Sequence, residues 1–219
     1  MAPDRLGQSP LLMLVTDRKR SRLPLVEAVS RAVAGGVDLV QVREKDLPAA
    51  ELFDLVVSLR DVTAGRAKLL VNDRVDVALA AGADGVHLPE KGLPPGVARR
   101  LLGPERLLGR SAHDPAILET GEGALRELDY LLVGTVFSSP SHPGLPPAGT
   151  GIIGEFAVRS RVPVLGIGGI TVENCAGVIT AGAVGVAVIS AILDSEDPEE
   201  VARQLKAAMV AARPAKSRG

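Results

Sequence analysis

At 219 residues the chain fits one domain, because parallel α/β barrels reach that length without splitting. It is 46% hydrophobic but only 2% aromatic, with no Trp, so its core has to be aliphatic. A formal net charge of −1 argues against general nucleic-acid affinity, and the single Cys175 excludes an internal disulfide framework and a cysteine zinc site.

Residues 1–10 and 213–219 read as disordered tails around a folded segment from 11 to 212. The N-terminus carries no charged-then-apolar leader, and no apolar run reaches membrane-spanning length. A cytoplasmic protein with no membrane partner is therefore expected. Leu11 to Val15 reads as the first strand and Leu25 to Ala34 as a helix stopped by Gly35-Gly36. Asp38 to Val42 is the second strand, followed by a helix from Pro48 to about Val62. Ala67 to Val71 and Asp84 to Leu88 are strands three and four, with helices at Val75 to Ala81 and Pro94 to Leu102. Leu107 to Arg110 is strand five, with a helix from Pro115. Asp129 to Val133 is strand six, and the long loop 134–149 leads to a helix near Ile152 to Ser160. Val164 to Ile167 and Val184 to Val188 are short, continuous and β-branched, as buried parallel strands are. Between them Thr171 can cap a helix through Ala181, stopped by Gly182. A closing helix runs from Pro198 to Ala212. Gly-Ala-Asp-Gly at 82–85 and Gly-Ala-Val-Gly at 182–185 are similar helix-to-strand turns. Eight βα units without a linker predict a single (β/α)8 barrel.

In such barrels, polar residues just after the strands face the ligand mouth. Gly168 and Gly169 after strand seven, with Ile189 and Ser190 after strand eight, offer clustered backbone N–H groups that suit a phosphate; the same glycines could also serve tight turns. Gln41, Arg43 and Lys45 alternate after strand two and can aim at one ligand. They could equally form a solvated ion-pair cluster with Glu44 and Asp46. Asn72-Asp73 follows strand three, and Asp73 could hold Mg2+ or cap the next helix. Ser111 and His113 alternate after strand five. Thr135, Ser138, Ser139, Ser141 and His142 crowd the long loop after strand six. Of the three histidines, His87 reads as a hydrogen-bonded barrel residue and His142 as the reactive one. Cys175 reads as a small buried hydrophobe.

Taken together, these residues resemble the thiamine phosphate synthase/TenI family of barrels, over about Leu11 to Leu193. The pieces are LVTD at 14–17, QVREKD at 41–46, VNDRVDVAL at 71–79, GADGVHL at 82–88, GRSAHD at 109–114, VGTVFSSPSHPG at 133–144, GIGGIT at 166–171 and AVISAI at 187–192. The resemblance implies thiamine biosynthesis on a thiazole phosphate substrate, by one of two reactions. The synthase couples a pyrimidine methyl diphosphate to thiazole phosphate, with Mg2+ helping diphosphate leave. TenI-type tautomerases move a proton on thiazole carboxylate phosphate and need no cofactor. The synthase pattern after strand four, HLGQED, ends in a second magnesium carboxylate where this chain has Gly92 in HLPEKG. On the loop after strand six, Ser139 and Ser141 match the synthase hydroxyls, but His142 replaces its Lys. Thr135 stands where tautomerases carry their catalytic histidine. The Thr135 departure runs against the tautomerase, and Glu90 could move in to help hold metal; even so, the two synthase departures rank a tautomerase first, with His142 as base, His113 in reserve, and Asp73 as a weak metal ligand if any. The synthase is the alternative, and a non-catalytic thiazole phosphate sensor comes third. The oligomeric state is left open, a homodimer included.

Overall fold

The computed structural model describes residues 6, 10–119, 125–138 and 147–213. Most of both expected tails, and Ser139, Ser141 and His142, lie outside the described residues. The short aliphatic runs form β1 (Leu11–Val15), β2 (Leu39–Val42), β3 (Lys68–Asn72), β4 (Gly85–Leu88), β5 (Leu107–Ala112), β6 (Tyr130–Val133), β7 (Val164–Ile167) and β8 (Gly185–Val188). Neighbours pair in parallel in chain order, and β8 returns to β1 through Leu11↔Gly185 to Leu14↔Val188, closing the barrel. The helices are α1 (Leu25–Ala34), α2 (Ala49–Thr63), α3 (Val75–Ala80), α4 (Pro95–Leu102), α5 (Gly151–Arg159), α6 (Cys175–Thr180), α7 (Ser190–Leu193) and α8 (Pro198–Ala211). No helix among them is long and apolar enough to cross a membrane.

Because side chains alternate across a strand, each strand feeds two cores. Leu12, Leu14, Val40, Val71 and Val86 point outward onto the helices. Leu11, Met13, Val15, Leu39, Leu70, Leu107, Tyr130, Leu132, Leu165 and Ala187 fill the interior. The closing helix α8 ties the last part of the chain to the first: Lys206 Nζ donates to the Pro10 carbonyl at 2.8 Å and meets Asp38 Oδ2 at 2.5 Å. Asp38 Oδ2 also accepts from Leu12 N.

Two expected helices differ from the sequence reading. α6 begins at Cys175, about a turn later than a cap at Thr171 implies. Asn174 folds the preceding segment back, its Oδ1 accepting from Thr171 N at 2.9 Å and its Nδ2 donating to Gly169 O at 3.0 Å. After Pro115 the chain makes only a 3-10 turn to Glu119, started by Asp114 Oδ1 accepting from Ala116 N. Elsewhere the boundaries move by a residue or two, as frayed ends do. β5 is the one that matters, since it runs on to Ala112 and makes Ser111 a strand residue.

The repeated glycine turns have a steric cause. Gly82 and Gly182 take φ of +68° and +109°, the left-handed region that stops α3 and α6. Gly85 and Gly185 open β4 and β8, where a Cβ would run into the carbonyl oxygens of Leu107 and Leu11 on the adjacent strands. Gly185→Ala should therefore force β8 away from β1 and cost about 2 kcal/mol or more, above the usual range for surface changes. Chemical denaturation of the variant checks this, and a loss below about 0.5 kcal/mol would refute the close approach.

Candidate active site

A pocket of about 160 Å3 opens at the C-terminal ends of the strands. It gathers eleven of the residues singled out above: Gln41, Arg43 and Lys45 from the β2 side, Asn72 from β3, Ser111 and His113 from β5, Thr135 after β6, Gly168 and Gly169 after β7, and Ile189 and Ser190 after β8. Val15, Leu132, Ile167, Ala187 and Val188 give it an apolar floor, and Pro89 and Glu90 form part of its wall.

Arg43 and Lys45 are held in place by a buried carboxylate next to them. The Glu44 side chain is 2% exposed. It accepts from Thr16 Oγ1 at 2.7 Å, Arg18 N at 3.0 Å and Arg18 Nη1 at 3.1 Å. Thr16 Oγ1 in turn accepts from Arg43 N at 3.0 Å. Asp46 is taken by Arg18 and Lys19, at 2.6 and 2.7 Å, and Arg18 holds its carboxyl well below the usual range. The expected alternative, an ion-pair cluster of Arg43 and Lys45 with Glu44 and Asp46, is thus not formed; the loop after β1 supplies those partners instead. The nearby Arg43 charge, and then burial, lower the Lys45 ammonium pKa, with Asp73 acting in the opposite direction. Two cations held side by side in this way suit a ligand with more than one negative charge.

Gly168 and Gly169 adopt φ of +105° and +61°, and their Cα atoms lie against Thr135 and the Phe137–Ser138 backbone, so they serve a tight turn as well as facing the pocket. The Gln41 residue is 2% exposed, and its amide donates from Nε2 to Asn72 Oδ1 at 3.3 Å. Gln41 Oε1 is buried without a partner among the described residues, so it is left for a ligand donor. Asp73 does not line the pocket. It is exposed at the end of β3 with φ +65°, and it gives α3 no side-chain cap.

His87 is buried inside the barrel, its Nδ1 3.0 Å from Tyr130 Oη and its Nε2 2.8 Å from Ser111 Oγ. Burial, with a smaller contribution from Arg43, pushes its pKa down to about 3, which keeps the ring neutral. His113 is exposed at the rim, its Nδ1 3.0 Å from Glu90 Oε2. Glu90 and Tyr130 were not among the residues ranked for the site. Tyr130 is the only tyrosine of the chain and shares the inward parity of Leu132, a pattern that places it inside the barrel.

A sequence model of the family described as thiamine monophosphate synthase matches residues 12–192. The chain belongs to that family. It is 44% identical over 209 residues to a thiamine-phosphate synthase of Roseiflexus sp. (strain RS-1), covering 92% of this chain and 86% of the relative. It is also 44% identical over 214 residues to a thiamine-phosphate synthase of Moorella thermoacetica, covering 95% and 99%. The solved thiamine phosphate pyrophosphorylase from Pyrococcus furiosus superposes with a TM-score of 0.82 at 33% identity, over 95% of this chain and 98% of that one. A 3-hexulose-6-phosphate synthase from Salmonella typhimurium, at 18% identity and a TM-score of 0.70, shares the fold.

These relatives correct the order of the two reactions. The tautomerase ranked first from the sequence gives way, because family members 44% identical over nearly the whole chain are named synthases, which are transferases and not isomerases. Of the histidines weighed as a base, His113 pairs with Glu90 at the rim, and His142 lies outside the described residues.

Two measurements follow from this geometry. Glu44→Gln removes a buried charge acceptor from three donors and should cost about 1–3 kcal/mol in stability. It should also weaken binding of inorganic diphosphate in calorimetry, since Arg43 and Lys45 lose their anchor; unchanged stability and affinity would refute the anchoring role. For His87 the folded pKa lies below the unfolded one, so the unfolded chain binds the proton first and stability falls as pH drops from about 6.5 toward about 3. His87→Gln should flatten that fall. Denaturant titrations from about pH 7 to about pH 4 should show a smaller pH-dependent loss than in the wild type.

Proposed function

We propose that this chain is a thiamine-phosphate synthase, joining a pyrimidine methyl diphosphate to a thiazole phosphate with release of diphosphate. The observation that carries the reading is that one pocket gathers two groups of residues suited to anions. Arg43 and Lys45 form one half, without an ion pair to any described residue, and the turn of Gly168, Gly169, Ile189 and Ser190 forms the other. A substrate with a single phosphate would leave one half unmatched. The identity to relatives named synthases supports the same conclusion.

In this reading the amide cluster after β7 and β8 takes the thiazole phosphate. Gln41, Asn72 and Ser111 meet the polar edge of the pyrimidine, while Thr135 borders the diphosphate. The bond between the pyrimidine methylene carbon and the diphosphate oxygen breaks, and the oxygen keeps the electron pair. The lone pair of the thiazole nitrogen forms the new carbon–nitrogen bond. That nitrogen carries no hydrogen, so the exchange needs no general base. Arg43 and Lys45 act by holding and neutralising the departing diphosphate, and the apolar floor excludes water that would compete for the carbon.

The family resemblance implies Mg2+. Among the described residues no group of three or more His, Cys, Asp and Glu could hold a metal ion by itself. Mg2+ does not require such a cage, since it is usually held by one or two carboxylates, waters and substrate phosphates. Asp73 and Glu90, at the ends of the neighbouring strands β3 and β4, fit that donor set, with Glu90 standing in for the carboxylate missing at Gly92. When bound, the ion supplies charge compensation to the diphosphate.

Purified protein given both substrates and Mg2+ should release thiamine phosphate and diphosphate in equal amounts, and EDTA should stop the reaction. Arg43→Ala and Lys45→Ala should each lower kcat/KM by about 10²-fold or more. Folded protein that binds both substrates yet forms no product would sink the reading.

A further inference from the structure

Tyr130 reaches across the barrel interior because the facing strand leaves it room. Gly109 pairs with Tyr130 in the β5–β6 register, and a Cβ at Gly109 would fall on the tyrosine ring. The ring lies against His87, with centroids 5.6 Å apart and planes inclined by 28°. Among the described residues the His87 nitrogen is the hydrogen-bond partner of Tyr130 Oη, and Met13, Leu107, Leu132 and Leu165 share its apolar cluster. Tyr130 is fully buried, and burial pushes its phenol pKa up, so it keeps its proton.

A neutral imidazole donates from one nitrogen and accepts at the other. Two arrangements of the Tyr130–His87–Ser111 chain are possible. In one, Nδ1–H donates to Tyr130 and Ser111 donates to Nε2; the buried phenolic hydrogen is then left without an acceptor among apolar neighbours, which folded proteins avoid. In the other, Tyr130 Oη–H donates to Nδ1 and Nε2–H donates to Ser111 Oγ. Both ring nitrogens and the Tyr130 hydroxyl hydrogen are then satisfied, and the Ser111 hydrogen is directed away from His87, toward the pocket that Ser111 lines.

We propose that Tyr130 fixes the tautomer of His87, so that Ser111 presents its hydroxyl hydrogen to the pocket and the site selects a hydrogen-bond acceptor at that point. Tyr130 and His87 are positioning residues: they act on the ligand through Ser111. Beside Gln41, whose open oxygen calls for a donor, this gives the pocket opposite hydrogen-bonding demands on its two sides. A ring edge with a donor at one position and an acceptor at another satisfies both, and a ring with the two reversed satisfies neither. The kinetic arm of the test rests on the synthase reading, whereas the spectroscopic arm does not.

Two-bond proton–nitrogen NMR spectra of the imidazole rings, with His87 assigned from its loss in His87→Gln, should show the wild-type proton on Nε2. A proton on Nδ1 overturns the proposal, whether or not the protein turns over substrate. Tyr130→Phe should convert His87 to a mixture of tautomers, and an unchanged spectrum also overturns it. Should Tyr130→Phe fail to fold, the wild-type spectrum still decides. In the coupling assay Tyr130→Phe should lower kcat about three- to tenfold, the worth of one neutral hydrogen bond, with KM for thiazole phosphate unchanged. Combined with Ser111→Ala it should lower kcat no further than Ser111→Ala alone. Losses that simply multiply would assign Tyr130 a structural role and defeat the proposal. Absence of turnover in the wild type would count against the synthase reading alone.

Discussion

Closing eight parallel strands leaves an interior only as wide as the side chains that point into it, and that limit governs the molecule from base to mouth. Near the base the interior positions of β4 and β8 are Gly85 and Gly185, where neighbouring backbones come too close for a Cβ. Through the middle they are Leu, Met and Val, with Tyr130 filling the space over Gly109. At the top the same inward parity delivers Gln41, Asn72, His87 and Ser111. The aliphatic plug and the polar floor of the pocket are successive residues of the same strands. A one-residue slip in any strand would send its polar residue into the outer core and its outer aliphatic into the ligand.

Charge follows the same economy. The cations that face the ligand, Arg43 and Lys45, form no ion pair with a carboxylate among the described residues, while the carboxylates between and beside them are engaged by Arg18 and Lys19 on the first βα loop. The Arg43 charge acts on Lys45, with Asp73 partly offsetting it, while Glu44 fixes the Arg43 backbone through Thr16, so an arriving anion meets two cations already in place. The pocket is thus prepared for its ligand before the ligand is present, which lowers the cost of reorganising at the moment of reaction.

Most of this architecture was legible in the residues. Continuous runs such as Val164–Ile167, punctuated by glycine, identify buried parallel strands, and the rule that ligand groups follow the strands picked out residues after six strands that line one pocket. Three things were not legible. The partners of Glu44 and Asp46 come from Arg18 and Lys19, some 26 to 28 residues away, and a contact at that separation leaves no local pattern. The late start of α6 depends on the Asn174 side chain bonding backwards to Thr171 and Gly169, which competes with a helix that propensity alone allows. The choice between proton transfer and coupling turned on single substitutions at Gly92, Thr135 and His142. The sequence offered Glu90 as a substitute for the carboxylate missing at Gly92 but could not weigh it, and Glu90 stands in the pocket wall.

The bond from Lys206 to the Pro10 carbonyl has a further consequence. Pro10 precedes β1 and α8 descends antiparallel to the strands, so the first and last described stretches lie together on the face opposite the ligand mouth. The same proximity makes the order of the βα units separable from their arrangement: joined across that base by a short linker and reopened at another strand entrance, the chain would trace the same closed ring from a different starting point.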